Sequence, residues 1–279
     1  MQKIFINEEH FNPTHTLECG QFFRFSIDNE GNYFAISGSK RAKIIPKNNG
    51  YEVQCDNANY FKNFFELDKN YQQKKEELAS FKFLQKPIEF GYGIRILRQD
   101  LFEAIICFII SQNNNIKRIQ KIIEAVCKRA GSKVKDDFGS FYAFPTQNQL
   151  LKLTETDYAS LGLGYRAAYL AKVVPLLTDE FLNSLKRMST EVARGALIAL
   201  PGIGRKVADC ILLFGMQRGE VFPVDVWCER VYLSFFKNHA QKNPRIAKGR
   251  EKISDYLSKV FGTNAGLAQQ YLFYYMRSN

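Results

Sequence analysis

The hydrophobic periodicity of this chain changes once, and that change limits what it can fold into. Residues 1 to about 55 run in short aromatic and β-branched stretches: Lys3 to Ile6, Phe22 to Ile27, Tyr33 to Ile36, Lys43 to Ile45 and Tyr51 to Gln54. Turn-forming clusters such as Asp28-Asn29-Glu30-Gly31-Asn32 separate them, which predicts antiparallel sheet. Residues 59–65 and 71–81 then read as helices. From about Arg98 onward apolar residues recur at helical spacing, as in Phe102, Ile105, Ile106 and Ile109, and again in Ile119, Ile122, Ile123 and Val126. The expected fold class is α+β. An N-terminal domain over residues 1–92, an antiparallel β-sheet with short helices, precedes an all-helical domain over residues 93–279. A chain of 279 residues is long enough for both.

Inside the helical part lies Leu200-Pro201-Gly202-Ile203-Gly204-Arg205-Lys206-Val207-Ala208-Asp209-Cys210. Ala196, Leu197 and Leu200 close an apolar stripe, Pro201 and Gly202 end it, and Gly204 permits a tight turn before a second helix begins near Arg205. Glycines at 202 and 204 leave backbone N–H groups uncovered at the mouth of that helix, where the helix dipole favours phosphate. Lys206 falls in the first turn, where the positive end of the dipole disfavours an ammonium and so favours a nucleophilic amine. Nineteen residues after Lys206, Asp225 ends the run Phe222-Pro223-Val224-Asp225. Taken singly, each element has a plainer explanation: a turn between two helices, a solvated lysine, and an aspartate capping the helix that Val226-Trp227-Cys228 begins. A phosphate-gripping hairpin with a reactive lysine points instead to covalent chemistry on a nucleic-acid sugar.

The hairpin followed by Pro-Val-Asp resembles the helix-hairpin-helix, Gly/Pro-Asp superfamily of DNA glycosylases. Within it, Lys206 marks the bifunctional branch that also cleaves the sugar-phosphate backbone. Further motifs resemble 8-oxoguanine DNA glycosylases. These are Ser111-Gln112-Asn113-Asn114-Asn115-Ile116-Lys117-Arg118-Ile119, Leu161-Gly162-Leu163-Gly164-Tyr165-Arg166-Ala167, Gly20-Gln21-Phe22-Phe23-Arg24 and Gly266-Leu267-Ala268-Gln269-Gln270-Tyr271-Leu272-Phe273. They run in the family's order from residue 20 to residue 273.

The resemblance implies a role for each position. Lys206 would attack C1′ and form a Schiff base, and Asp225 would stabilise positive charge growing on the deoxyribose. A base extruded from the duplex leaves a gap. Asn113, a short amide at the start of a helix, and Tyr165, on a glycine-rich loop, would fill it and wedge the stack. Arg118 and Arg166 would address the widowed cytosine, whose exposed acceptors suit the guanidinium fork. 8-Oxoguanine differs from guanine in carrying a proton on N7, so a backbone carbonyl at Gly20 could discriminate between them. Phe273 and Cys210 would sandwich the base, and Gln269, one turn before Phe273, would bond its Watson–Crick edge. Gly202, Gly204 and Arg205 would hold phosphate. Without the resemblance, Phe273 and Cys210 read as core residues, Tyr165 as a core aromatic, and both arginines as solvated helix charges. Animal members carry histidine two residues after the aspartate, where this chain has Trp227, so that phosphate contact is in doubt.

Charge and cysteine usage narrow the alternatives. Lys plus Arg number 39 against 28 Asp plus Glu, a net charge of +11, which suits a polyanionic partner. The implied partner is double-stranded DNA containing 8-oxoguanine, preferentially opposite cytosine, bound by a monomer. The longest purely apolar run, Ala104 to Ile110, is far too short to span a membrane, and the N-terminus does not resemble a signal peptide. No membrane partner is expected, and a cytoplasmic location is, at the nucleoid in a bacterium. The six cysteines are scattered without a C-x-x-C pair, and the three histidines lack metal-ligand spacing. No metal site or cofactor is therefore expected, beyond a structural cation that the hairpin carbonyls could hold. Alkylated-base glycosylases share the hairpin and aspartate but normally lack the lysine. Endonuclease III-like enzymes keep both but usually carry a C-terminal four-cysteine cluster, absent here. A non-catalytic hairpin module that only binds DNA is the remaining alternative, and the pairing of Lys206 with Asp225 argues against it.

Overall fold

The computed structural model describes residues 1–278, and it carries the expected division into sheet and helices. Strands β1 (Gln2–Asn7), β2 (Phe25–Ile27), β3 (Tyr33–Ser37), β4 (Lys40–Lys47) and β5 (Gly50–Cys55) form one antiparallel sheet in the order β1-β5-β4-β3-β2. Alternation sets its faces. Ile4 and Ile6 of β1, Ala35 of β3, Ala42 and Ile44 of β4 and Val53 of β5 point inward, onto Phe11, Leu17, Phe61, Phe64 and Phe65. Phe5, between two buried isoleucines, is exposed.

The strand expected over residues 22–27 begins only at Phe25. Its first half is a buried irregular stretch whose polar groups join the sheet to the helices. Gln21 donates to the Arg95 carbonyl at 2.7 Å and accepts from the Leu97 N–H at 2.9 Å. Arg24 donates to the Tyr142 carbonyl and lies 3.8 Å from Glu103, whose carboxylate accepts the Gly38 N–H. Burial pushes the Glu103 carboxyl up to about 7, against the opposing pull of Arg24.

The second core is built around the helix Leu101–Ser111, which is buried on nearly every side. It receives the helix Arg205–Met216, with Phe108 and Phe214 stacked at 5.4 Å. Residues 71–90, which precede the expected boundary at 92–93, also contribute: Tyr71, Leu78, Leu84 and Ile88 join this helical core rather than the sheet's. The helical part is not purely helical. Strands β6 (Lys133–Asp136) and β7 (Gly139–Tyr142) form a small antiparallel ribbon. It docks on the sheet through Arg41, which pairs with Asp136 and lies over Phe34, Phe138 and Phe141. Among the described residues, no helix is long and apolar enough to cross a membrane.

Candidate active site

The hairpin forms where the sequence places it. The helix Thr190–Ile198 ends at a turn in which the Ile203 N–H bonds the Leu200 carbonyl at 3.2 Å and Gly202 takes φ +78°. Gly204 is the N-cap of Arg205–Met216 and has no side chain to offer, so no cap bond forms. Among the described residues, the amides of Gly204, Arg205 and Lys206 find no partner within the protein. These are unsatisfied donors at the positive end of a dipole, which is an anion site in physical terms.

Arg205 contributes its backbone there, while its side chain turns inward. Its guanidinium bonds Asp209 at 3.0 Å and Asp255 at 2.6 Å. Asp209 is buried, takes Arg194 at 2.6 Å on its other oxygen, and has its carboxyl pushed up by burial despite both arginines. The Arg205 side chain is thus part of the brace that fixes both hairpin helices against the helix Arg250–Phe261.

Lys206 is reachable from solvent while protein atoms crowd its amine, as at the floor of a cleft. Burial works to lower its pKa, but the Cys210 thiol and the Asp225 carboxylate outweigh it, so the ammonium is held above the ordinary lysine range. This corrects the expectation drawn from the dipole. A helix terminus is worth about half an elementary charge, whereas an ionised Cys210 and Asp225 each supply a whole one in a partly desolvated site.

Asp225 is the N-cap of Val226–Phe235, so the plainer explanation of it also holds. Its Oδ1 accepts the Trp227 and Cys228 N–H groups, each at 2.9 Å. The Cys228 thiol also bonds this carboxylate, which is thus held in place by the helix it caps. Trp227 lies under the Arg230 guanidinium, 4.8 Å from the ring centre.

Gly20 and Phe273 come together from opposite ends of the chain. Gly20 takes φ +90°, and a Cβ there would stand 3.2 Å from Phe273 Cε1 and 3.2 Å from Arg277 Nη1. Arg277, which the sequence reading did not single out, lies over the Phe273 ring and bonds the Glu18 carbonyl at 2.7 Å. Cys210 is buried one turn beyond Lys206. Gln269 departs from expectation. Its Nε2 donates to Cys228 Sγ at 3.3 Å and its Oε1 accepts from Gln270 at 2.7 Å, so its amide is already engaged. Cys228, also missed by the sequence reading, joins Gln269 to the foot of Asp225.

On the other side of the hairpin, Tyr165 is 51 % exposed, on a turn where Gly162 and Gly164 take φ +88° and +57°. It is no core aromatic. Arg118 is exposed, with a single 3.5 Å contact to the Gly162 carbonyl. Arg166 is neither solvated nor free. It is buried, and its donors go to the carbonyls of Gln112, Asn113 and Leu163, with Nε–Gln112 at 2.8 Å. Asn113 also differs from expectation. The helix starts at Ile116 with Asn115 as its cap, and Asn113 lies before it in the connecting loop, exposed, at φ +45°.

Fold and hairpin together define a base excision repair protein of the helix-hairpin-helix class. The HhH-GPD superfamily base excision DNA repair family matches residues 106–254, and the N-terminal domain of 8-oxoguanine DNA glycosylase matches residues 3–105. The chain is 33 % identical over 187 residues to the N-glycosylase/DNA lyase OGG1 of Arabidopsis thaliana, matching 65 % of this chain and spanning about half (51 %) of that relative. It is 29 % identical to the N-glycosylase/DNA lyase of Saccharomyces cerevisiae, over 97 % of this chain and 85 % of the relative. The crystal structure of the 8-oxoguanine glycosylase/lyase of Clostridium acetobutylicum, with double-stranded DNA containing cytosine opposite 8-oxoguanine, is 34 % identical. It superposes with a TM-score of 0.90 over 100 % of this chain and 98 % of that one. The chain belongs to the 8-oxoguanine DNA glycosylase/lyase family.

Proposed function

We infer that this chain removes 8-oxoguanine from duplex DNA and then cleaves the backbone at the resulting abasic site. The observation that carries this reading is the placement of Lys206 and Asp225 near enough for the carboxylate to act on the amine. Each stands at the N-terminus of its own helix, and Asp225 acts on the Lys206 ammonium. The relatives named N-glycosylase/DNA lyase support this reading over an alkylated-base or endonuclease III-like enzyme and over a binding module.

In the proposed reaction Lys206 gives up a proton and its Nζ lone pair bonds C1′. The C1′–N9 bond breaks and the base leaves with that electron pair. The nitrogen lone pair then expels O4′ from C1′, O4′ takes up a proton, and the opened sugar is left as a Schiff base. Loss of a C2′ proton then expels the 3′ phosphate, with the bonding electrons, by β-elimination. Asp225, held through Oδ1, offers its negative charge to the positive charge that develops on the sugar. Gly20, Cys210 and Phe273 would form the base pocket, with Gln269 reaching the base only by giving up Cys228 or Gln270. Gly202, Gly204 and the Arg205 amide would take a backbone phosphate, with a structural cation on the hairpin carbonyls as part of the same reading. These steps draw on side chains alone, without a cofactor. The protein would act as a monomer.

Tyr165 and Asn113 are the groups proposed to enter the stack. A preference for cytosine opposite the lesion is assigned first to Arg118, whose guanidinium is exposed. Arg166 would contribute only after releasing Gln112 and Asn113. Excision measured on duplexes carrying 8-oxoguanine, alkylated purines and oxidised pyrimidines tests the reading. Release of 8-oxoguanine well ahead of the others is expected, and faster release of an alkylated purine or oxidised pyrimidine would contradict it.

A further inference from the structure

Tyr169 links two parts of the site that the sequence treats as separate. It follows Tyr165 by one helical turn, at the start of the helix Arg166–Val173, so the two side chains share a face. Their rings meet edge to face, with centroids 5.7 Å apart and planes at 80°. The Tyr169 ring also touches the hairpin. A Cβ at Gly202 would fall 2.4 Å from Tyr169 Cδ2 and Cγ, so the ring lies directly on the Gly202 backbone. Gly202 is the left-handed residue of the turn that leads, four residues later, to Lys206. Both features demand glycine there: the positive φ, and a ring where a methyl group would go.

The Tyr165 loop has other anchors on the Gln112 side. Arg166 fixes it to the Gln112 and Asn113 carbonyls, and the Tyr165 hydroxyl reaches Gln112 as well. The Tyr165 ring itself lies between the Arg166 guanidinium, 4.3 Å from its centre, and the Tyr169 ring, which bears on the hairpin turn. We propose that Tyr169 is a positioning residue that couples insertion of Tyr165 into the base stack to alignment of Lys206, through its contact with Gly202. The inference rests on the glycosylase reading above. It adds a mechanical order of events, in which a nucleotide is attacked efficiently only after the wedge is seated.

The test combines single-turnover excision of 8-oxoguanine with fluorescence of a 2-aminopurine beside the lesion, which reports opening of the stack. Tyr169→Leu should leave the fluorescence change near that of the unsubstituted protein while slowing excision by about 10- to 100-fold, the scale of an ångström-level misalignment. Tyr169→Phe, which keeps the ring, should restore the excision rate and keep the fluorescence change. In a Tyr165→Ala background Tyr169→Leu should cost little more, because no wedge remains to be coupled. Defects that multiply independently, or a Tyr169→Phe protein as slow as Tyr169→Leu, would overturn the proposal. An unsubstituted protein inert on 8-oxoguanine duplex would overturn the functional reading and this inference with it.

Discussion

The two sides of the site are prepared to different degrees. Around Lys206 and Asp225 the groups needed for chemistry are already in place: among the described residues three hairpin amides lack partners, the carboxylate is held by its own helix, and the amine lies within the field of that carboxylate. Around Asn113 and Arg166 the opposite holds, because the arginine spends its donors on its own backbone and the asparagine waits in a left-handed loop. The difference separates preorganised chemistry from recognition that requires rearrangement. A catalytic group gains most from being fixed in advance. A group that reads an unpaired base has nothing to bond until a duplex has been opened, and a buried guanidinium left without partners would be costly meanwhile.

The sharpest way to probe the preorganised side is Asp225→Asn. Asparagine is as good an N-cap as aspartate, so the helix Val226–Phe235 should keep its bonds to Trp227 and Cys228 while the charge is lost. Base release should slow by about 10²–10³ with little change in melting temperature or DNA binding. A slowing below about threefold would leave Asp225 a cap and nothing more.

The two arginines break the comparison in different directions. Arg118→Ala should narrow the preference for cytosine over adenine opposite the lesion by about tenfold and leave stability unchanged, since its one contact is long. Arg166→Ala should instead cost about 1–3 kcal/mol of stability, because the Gln112 and Asn113 carbonyls lose their donors. Thermal melting and opposite-base kinetics of the pair decide the matter. A stable Arg166→Ala protein that discriminates normally would remove Arg166 from both roles.

A smaller effect is expected in the pH profile. Because Asp225 helps hold the Lys206 pKa above its ordinary value, the neutral amine becomes more abundant as pH rises, and single-turnover rates should climb toward alkaline pH. In Asp225→Asn that limb should move to lower pH. The same pairing stabilises the fold below the ordinary lysine pKa and is lost as pH rises through the raised one. A limb that stays put in the variant would show that Asp225 does not act on the amine.

Local features were legible in the sequence and long-range ones were not. Gly202 and Gly204 announced the hairpin, Pro223 and Val224 led into the capping aspartate, and Gly162 with Gly164 put Tyr165 on a turn. The ribbon was missed although its signal was present, in the alternation of Lys133 to Tyr142 around Asp137-Phe138-Gly139. The fate of Arg166 could not be read locally, because its partner Gln112 lies 54 residues away. Gln269 was likewise decided by Cys228, 41 residues earlier. The charge of Lys206 answers to more than its helix dipole: Cys210, one turn on, and Asp225, at the start of another helix, both raise its pKa.

The central claim is that Lys206 is the nucleophile on 8-oxoguanine-containing DNA, and borohydride trapping tests it most directly. The unsubstituted protein should yield a covalent adduct with an 8-oxoguanine duplex, and Lys206→Gln should yield none. Undiminished trapping in Lys206→Gln would contradict the account, because another amine would then form the Schiff base.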